Sequence, residues 1–293
     1  MRRPPQSIRS AVSCVPRLGA WALLVLAGGA SVTAQSRAAE AAADPHAGAP
    51  RVLVFGGTGM IGGEIVRELR ARGLPVTVFV RPSSNRAGLE PFGVDFVTGD
   101  VENAASVAAA FRDRRIDVVV SAIARTDHDT ATQGVTIYAT GNDRITAAAR
   151  AAGVTQLVQV GTVGSGDSAA LVPPAIYEFA RQVFEDKTRA EQTLVASGLR
   201  FTIVRTGVLL GGEPSGKGVL SEDHSQLAPM RVADIARETA ACVAAPRCYD
   251  RIYHTVDPTL LGLTPEQIVA EKLKLRELKD GRRAGTRAAA APP

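Results

Sequence analysis

Residues 51–73 read RVLVFGGTGMIGGEIVRELRARG, a stretch that admits very few local structures. Four apolar residues, Val52 to Phe55, sit between a charge and a glycine cluster. A run that is apolar on both faces predicts a buried strand of a parallel sheet. Gly56, Gly59 and Gly62 follow at three-residue spacing, with Thr58, Met60 and Ile61 between them, and Ile61, Ile65, Val66 and Leu69 then recur with the period of a helix. Strand, glycine turn and helix in that order form the first half of a dinucleotide-binding unit. Gly56 permits the tight turn, Gly59 lets the backbone approach a pyrophosphate, and Gly62 lets the helix pack closely. The helix N-terminus offers unpaired N–H groups and the positive end of its dipole to the phosphates.

The same alternation continues down the chain. Pro75 to Val80 is a second strand rich in β-branched residues, Val94 to Val97 a third, and Asp117 to Ser121 a fourth. Gln156 to Val160 and Phe201 to Val204 follow as the fifth and sixth, and Arg251 to Val256 reads as a last strand. Helices are expected over Ala104–Phe111, Tyr138–Ala152, Pro174–Ser197 (with Gly198 as its C-cap) and Met230–Val243. Strands and helices alternating in this way predict an α/β fold with a doubly wound parallel sheet.

The ends of these strands carry the chemistry. At the end of the second strand, position 80 is Val, where an NAD-binding site would place an acid for the ribose hydroxyls, and Arg81 follows at once with Ser83, Ser84 and Arg86 nearby. A guanidinium there can pair with a 2′-phosphate and stack on adenine, so NADP(H) is favoured over NAD. Asp100 and Val101, after the third strand, lie within reach of the adenine, although Asp100 can equally cap the following helix with Glu102 and Asn103. Ala122 and Ile123 form a small-residue turn under the nicotinamide half.

Charge is placed at the two ends of the chain. Residues 1–34 carry four Arg and no acid, and Glu271 to the end carries seven Lys or Arg against three Asp or Glu. Subtracting those two +4 ends from the overall +5 leaves the body at −3, so the basic pI does not argue for a nucleic-acid groove, and no nucleic-acid partner is expected. Arg2, Arg3 and Arg9 precede a short apolar run, Leu18 to Ala30, and Val32-Thr33-Ala34 then offers small residues for cleavage. Residues 1–34 thus look like a signal peptide, too short for a comfortable membrane span, followed by a flexible linker over 35–49. Export, to the periplasm, is expected if that leader is cleaved, and a cytoplasmic location otherwise. Cys242 and Cys248 have no metal-binding spacing and are expected to be free thiols rather than a disulfide.

Several ordered motifs together resemble the short-chain dehydrogenase/reductase superfamily, in its extended and atypical branch of NmrA-like and isoflavone-reductase-like proteins. They are GGTGMIGG at Gly56–Gly63, Arg81, Gly99-Asp100-Val101, Gly141-Asn142, KTRAEQTLVASGLRFTIVRTG from Lys187, and MRVADIA at Met230–Ala236. The resemblance covers residues 51–257 and implies a Rossmann fold, an NAD(P) cofactor and a small-molecule substrate, as monomer or homodimer. It also implies an active site with a Tyr four residues before a Lys and a hydroxyl after the fifth strand. Lys187 matches the Lys, binding ribose or donating a proton, and Thr162 or Ser165 supplies the hydroxyl. The Tyr position holds Val183. Tyr177 lies ten residues before Lys187, about 15 Å along a continuous helix and on another face, which keeps it from standing in.

Three functions follow from the resemblance. The first is an NADPH-dependent reductase acting on a small apolar carbonyl or quinone-like substrate. The second is a non-catalytic NADP(H)-binding redox sensor, favoured by the missing Tyr. The third, ranked last, is a nucleotide-sugar epimerase or dehydratase. The Gly-rich segment Val208–Gly218 is expected to be a mobile flap, and His128 and His224 to be solvated. Residues 259–278 are expected to hold a C-terminal helix opened by Thr264-Pro265-Glu266, with a disordered tail over 279–293.

Overall fold

The computed structural model describes residues 48–124, 137–264, 266–273 and 275, all within one compact unit, His46–Pro293. The leader, the linker, His128 and the basic tail lie outside the described residues. In chain order the elements are β1 (Val52–Phe55), α1 (Met60–Ala71), β2 (Val76–Val80), β3 (Asp95–Thr98), α2 (Ala104–Ala109) and β4 (Val118–Ser121). After them come α3 (Asn142–Ala151), β5 (Gln156–Thr162), α4 (Pro174–Phe179), α5 (Arg181–Val195) and β6 (Arg200–Thr206). The chain closes with β7 (Val208–Leu210), β8 (Val219–Ser221), β9 (Pro229–Arg231), α6 (Val232–Ala241) and β10 (Arg251–Val256), and residues 266–273 are helical.

The main sheet has the order β3-β2-β1-β4-β5-β6-β10-β8 and is parallel throughout except for the edge strand β8. Alternation along β1 divides the core between the two faces. Leu53 and Phe55 pack with Val107, Ile145, Leu157 and Leu194, the side of α2, α3 and α5. Val52 and Val54 pack with Ile65, Val66, Leu69, Ala236 and Ala240, the side of α1 and α6. Each such fully buried aliphatic side chain contributes about 1.5–3 kcal/mol of transfer free energy. The fold is the doubly wound Rossmann type, and its strand order reverses between β1 and β4, where such sheets open a crevice for ligands.

Four expectations are corrected. The helix from Pro174 is not continuous: it breaks at Ala180, whose φ of −113° and ψ of 19° leave the helical range. The break brings the ring of Tyr177 onto Phe184, with centroids 5.1 Å apart and planes 8° from parallel. Seven residues of straight helix would separate the two by about 10 Å of rise, so the stack requires the fold. Met230 belongs to a strand, β9, rather than to the start of α6.

The segment Val208–Gly218 is anchored rather than a free flap. β7 pairs with β9, and buried Asp234 accepts hydrogen bonds from the N–H groups of Ser215 and Gly216, at 2.7 and 3.0 Å. The Ser215 hydroxyl also bridges Asp234 and Asp257. The cysteines are not free: Cys242 and Cys248 form a disulfide across the return from α6 to β10, where a Cα–Cα distance of 5.4 Å lies within bridging range. Thr202 donates to the Cys248 carbonyl at 2.7 Å and Gln156 to that of Cys242 at 3.0 Å, so side chains of β5 and β6 hold this return in place.

Candidate active site

The C-terminal ends of β1, β2, β4 and β5 converge around the glycine turn. Gly56 has φ +77°, and a Cβ there would lie 2.4 Å from the Ala122 carbonyl oxygen, so the turn rests directly on the Ala122–Ile123 backbone. A Cβ on Gly62 would lie 2.2 Å from the Gly56 carbonyl oxygen, which ties the first turn of α1 to the loop. Gly59 caps α1 without a side-chain hydrogen bond, and the first turn holds no acid. That helix end therefore presents N–H groups with no competing side chain, the arrangement a pyrophosphate requires. Thr58 is exposed and Met60 and Ile61 are half-buried around it. The residues present fit an NAD(P) dinucleotide.

On the adenine side, Arg81 is exposed at the end of β2, and its N–H donates to Ser84 Oγ at 3.1 Å. Arg86 is committed elsewhere: it donates to Thr98 Oγ1 at 2.7 Å and lies over the Phe96 ring. Of the two roles open to Asp100, capping falls to its neighbour. Asn103 accepts from Ser106 N–H to cap α2, while Asp100 accepts from Glu102 N–H at 2.9 Å. Buried Val101 and Ile123 both pack on Gly141, where a Cβ would lie 3.5 and 3.0 Å from their methyl carbons.

Gly141 closes one turn of π-helix, Ile137–Gly141, that leads into α3. Such turns are common at functional sites. Here it is fixed by buried Asn142, which accepts from Ser121 Oγ at 2.6 Å and donates to the Tyr138 carbonyl at 2.7 Å. The turn projects Tyr138 under α5, and Lys187 Nζ sits 4.8 Å from the centre of the Tyr138 ring. Burial pushes the Lys187 ammonium down to about 8, against the pull of Glu191.

The other predicted catalytic positions are not gathered around that amine. Thr162 is half-buried and its hydroxyl lies 3.3 Å from the carbonyls of Val163 and Thr206. Ser165 is fully buried and its Oγ has no hydrogen-bond partner. Among the described residues neither hydroxyl is bonded to Lys187. Val183 is half-buried one turn before Lys187, and Tyr177 stacks on Phe184, with the Arg181 guanidinium 5.9 Å from the centre of the Tyr177 ring.

Sequence reasoning missed a polar network beneath the loop after β5. Arg205 on β6 pairs with Glu191 of α5 at 2.8 Å and with Asp167 of the loop. Asp167 in turn accepts from His224 Nδ1 at 2.9 Å, so His224 is not solvated as expected. Burial pushes the Asp167 carboxyl up, but His224 and Arg205 outweigh it and hold it at about 2.

Residues 56–246 match the NAD(P)H-binding family. The chain belongs to that family. Its neighbours lie in the atypical short-chain dehydrogenase/reductase group of epimerases and reductases. One is the phenylcoumaran benzylic ether reductase of Populus trichocarpa, 27% identical over 232 residues, covering 72% of this chain and 70% of that one. A second is the UDP-glucose 4-epimerase of Azospirillum brasilense, 36% identical over 77 residues, a match that spans 26% of this chain and only 22% of the epimerase. Among solved structures, ChuY, an anaerobilin reductase of Escherichia coli O157:H7, is 27% identical with a TM-score of 0.63, covering 73% of this chain and 99% of that one. Among the described residues no helix is long and apolar enough to cross a membrane.

Proposed function

We propose that this protein is an NADPH-dependent reductase that delivers a hydride to a small, apolar carbonyl or quinone-like substrate. The observation that carries the reading is Lys187, half-buried on the face of Tyr138 with its ammonium drawn down to about 8. Bound NADPH would supply the hydride and its electron pair. The turn of Gly56, Gly59 and Gly62 would hold the pyrophosphate, Arg81 the 2′-phosphate, and Ala122 and Ile123 the floor under the nicotinamide. Lys187 would give one proton from Nζ to the substrate oxygen and regain it from water. Exposed Ile176 and Phe179 on α4, after the loop from β5, support an apolar substrate. Two relatives bear the names of reductases, which supports the reaction class.

The vacant Tyr position at Val183 favours a second reading, an NADP(H)-binding sensor without turnover. We also propose that the chain is exported, since a disulfide between Cys242 and Cys248 suits an oxidising compartment. Fluorescence titration with NADPH and NADH, with and without a panel of quinones and carbonyls, separates the functional readings. Tight NADPH binding with turnover that Lys187→Ala abolishes supports the reductase. Tight binding with no turnover supports the sensor, and no binding of either nucleotide overturns both.

A further inference from the structure

Lys187 and Glu191 stand four residues apart on α5, a spacing at which lysine and glutamate ordinarily pair. Here they do not. Arg205 Nε lies 3.3 and 3.2 Å from the two Glu191 carboxylate oxygens, and its Nη2 lies 2.8 Å from Oε2. The Arg205 and Glu191 side chains are only 3% and 5% exposed. The remaining end of the guanidinium is held by Asp167, which His224 holds in turn. Two glycines, Gly161 in β5 and Gly166 in the loop after it, wall the pair in: a Cβ on Gly161 would lie 2.7 Å from Glu191 Oε1, and one on Gly166 would strike the Arg205 guanidinium. The fork of Arg205 thus fills the acceptor sites that Lys187 would otherwise take.

We propose that Glu191 and Arg205 are a positioning pair for Lys187: Arg205 engages the carboxylate one turn along α5 from the ammonium, leaving the amine on the face of Tyr138 and able to release its proton. The proposal rests on the reading of Lys187 as proton donor. Among the described residues the groups that face Lys187 are few. Its own helix contributes Glu191, and the π-helical turn contributes Tyr138. Beyond Glu191 stand Arg205 of β6, Asp167 of the β5 loop, and His224 after β8. Of the other charges on these helices, Arg189 pairs with Asp143 of α3 at 3.3 Å, while Asp186 accepts from the neutral amide of Gln182 at 2.9 Å. Burial already draws the Lys187 ammonium down to about 8 while Glu191 pulls it up. Burial pushes the Glu191 carboxyl up while Arg205 and Lys187 hold it down, so a carboxylate freed of Arg205 would take its remaining compensation from Lys187 and return the lysine toward its ordinary 10.5.

The test uses the full chain and three variants, Glu191→Gln, Arg205→Gln, and the two together, each checked by thermal unfolding. Competitive acetylation of Lys187 against pH, read by peptide mass spectrometry, gives its titration midpoint without substrate or turnover. The basic limb of kcat/KM for NADPH-dependent reduction gives the same quantity during turnover. Glu191→Gln is expected to lower both by about one pH unit, the scale of one charged neighbour. Arg205→Gln is expected to raise both. That variant leaves a buried carboxylate uncompensated and can fail to fold. Glu191→Gln and the double variant avoid that, and they keep the proposal testable. A moved labelling midpoint with no turnover on any substrate supports the pair and sinks the reductase reading. Unmoved midpoints in folded Glu191→Gln and double variants overturn the pair, whatever the turnover.

Discussion

His224 and His254 lie face to face, their ring centroids 4.7 Å apart and their planes 7° from parallel, yet the protein tunes them in opposite directions. Burial pulls the His224 imidazolium down, but Asp167 on one ring nitrogen and the Ile252 carbonyl on the other raise it above 6.5. His254 is buried outright, which pushes its pKa below 6.5, and the charge of His224 adds to the shift. Its Nε2 has no hydrogen-bond partner.

Two opposing pH dependences follow by linkage. The contribution of His224 is fully present below its unfolded value of 6.5 and is lost as pH rises through its raised folded value. That of His254 is present above 6.5 and is lost as pH falls through its depressed one. His224→Asn should therefore flatten the alkaline slope of stability, removing about 1 kcal/mol at mildly acid pH, and should keep the part of the acid slope that the burial of His254 sets while losing the part due to the His224 charge. Thermal unfolding across the two slopes measures this. A variant that keeps the wild-type alkaline slope would show that the Asp167–His224 clasp carries no stability.

The glycine turn makes a stereochemical prediction. A methyl at position 62 would meet the Gly56 carbonyl at 2.2 Å, and the atom it meets is backbone, which cannot rotate away. Gly62→Ala should push α1 off the turn and weaken NADPH binding by at least about tenfold, or 1.4 kcal/mol. Gly73→Ala is the control. That glycine has φ +75° but nothing within 4 Å of its Cβ position, so it should lose stability and keep its affinity. Equal affinities in the two variants would remove the turn from the cofactor site.

What could be read from the sequence follows the range of the interactions involved. The β1–turn–α1 unit is legible because its determinants lie within 20 residues of one another and differ in period. The break at Ala180 is not, because alanine favours helix and the decisive contact is the Tyr177–Phe184 stack. Glu191 shows the same limit from the other side. Local spacing pairs it with Lys187, whereas its partner Arg205 arrives from a strand beyond the helix. Composition misleads at Val208–Gly218, where glycines suggest mobility and the buried carboxylate of Asp234 removes it. At the site itself the glycine turn and the start of α1 are legible, being backbone and turn geometry. Tyr138, which meets Lys187 only through the π-helical turn, is not.

The disulfide closes a short loop, so its effect should be modest. Cys242 and Cys248 are six residues apart, and the chain-entropy relation gives about 2 kcal/mol for a loop of that size. Replacing both with Ala should lower the melting temperature by a few degrees, in the range expected for that loss in a domain of this size. Reductant should lower the wild type to the same value and leave the variant unmoved. A wild type indifferent to reductant would mean that the bridge does not form in solution.

Under the proposed preference for NADPH, cofactor choice would turn on two arginines that composition alone cannot tell apart. Arg86 is held by Thr98 Oγ1 and stacked on Phe96, so its charge is already committed to the β3 end. Arg81 is exposed, and its backbone N–H donates to Ser84 Oγ. A 2′-phosphate at that strand end would find Arg81 first, in a charge-assisted hydrogen bond of about 1.5–3 kcal/mol. Arg81→Ala should therefore raise the Kd for NADPH by roughly tenfold or more and leave that for NADH nearly unchanged, with the gap narrowing as salt is added. Arg86→Ala should shift both nucleotides together, through loss of the β3 end. If Arg86→Ala alone erased the preference for NADPH, the phosphate site would belong to Arg86 and the assignment of Arg81 would fail.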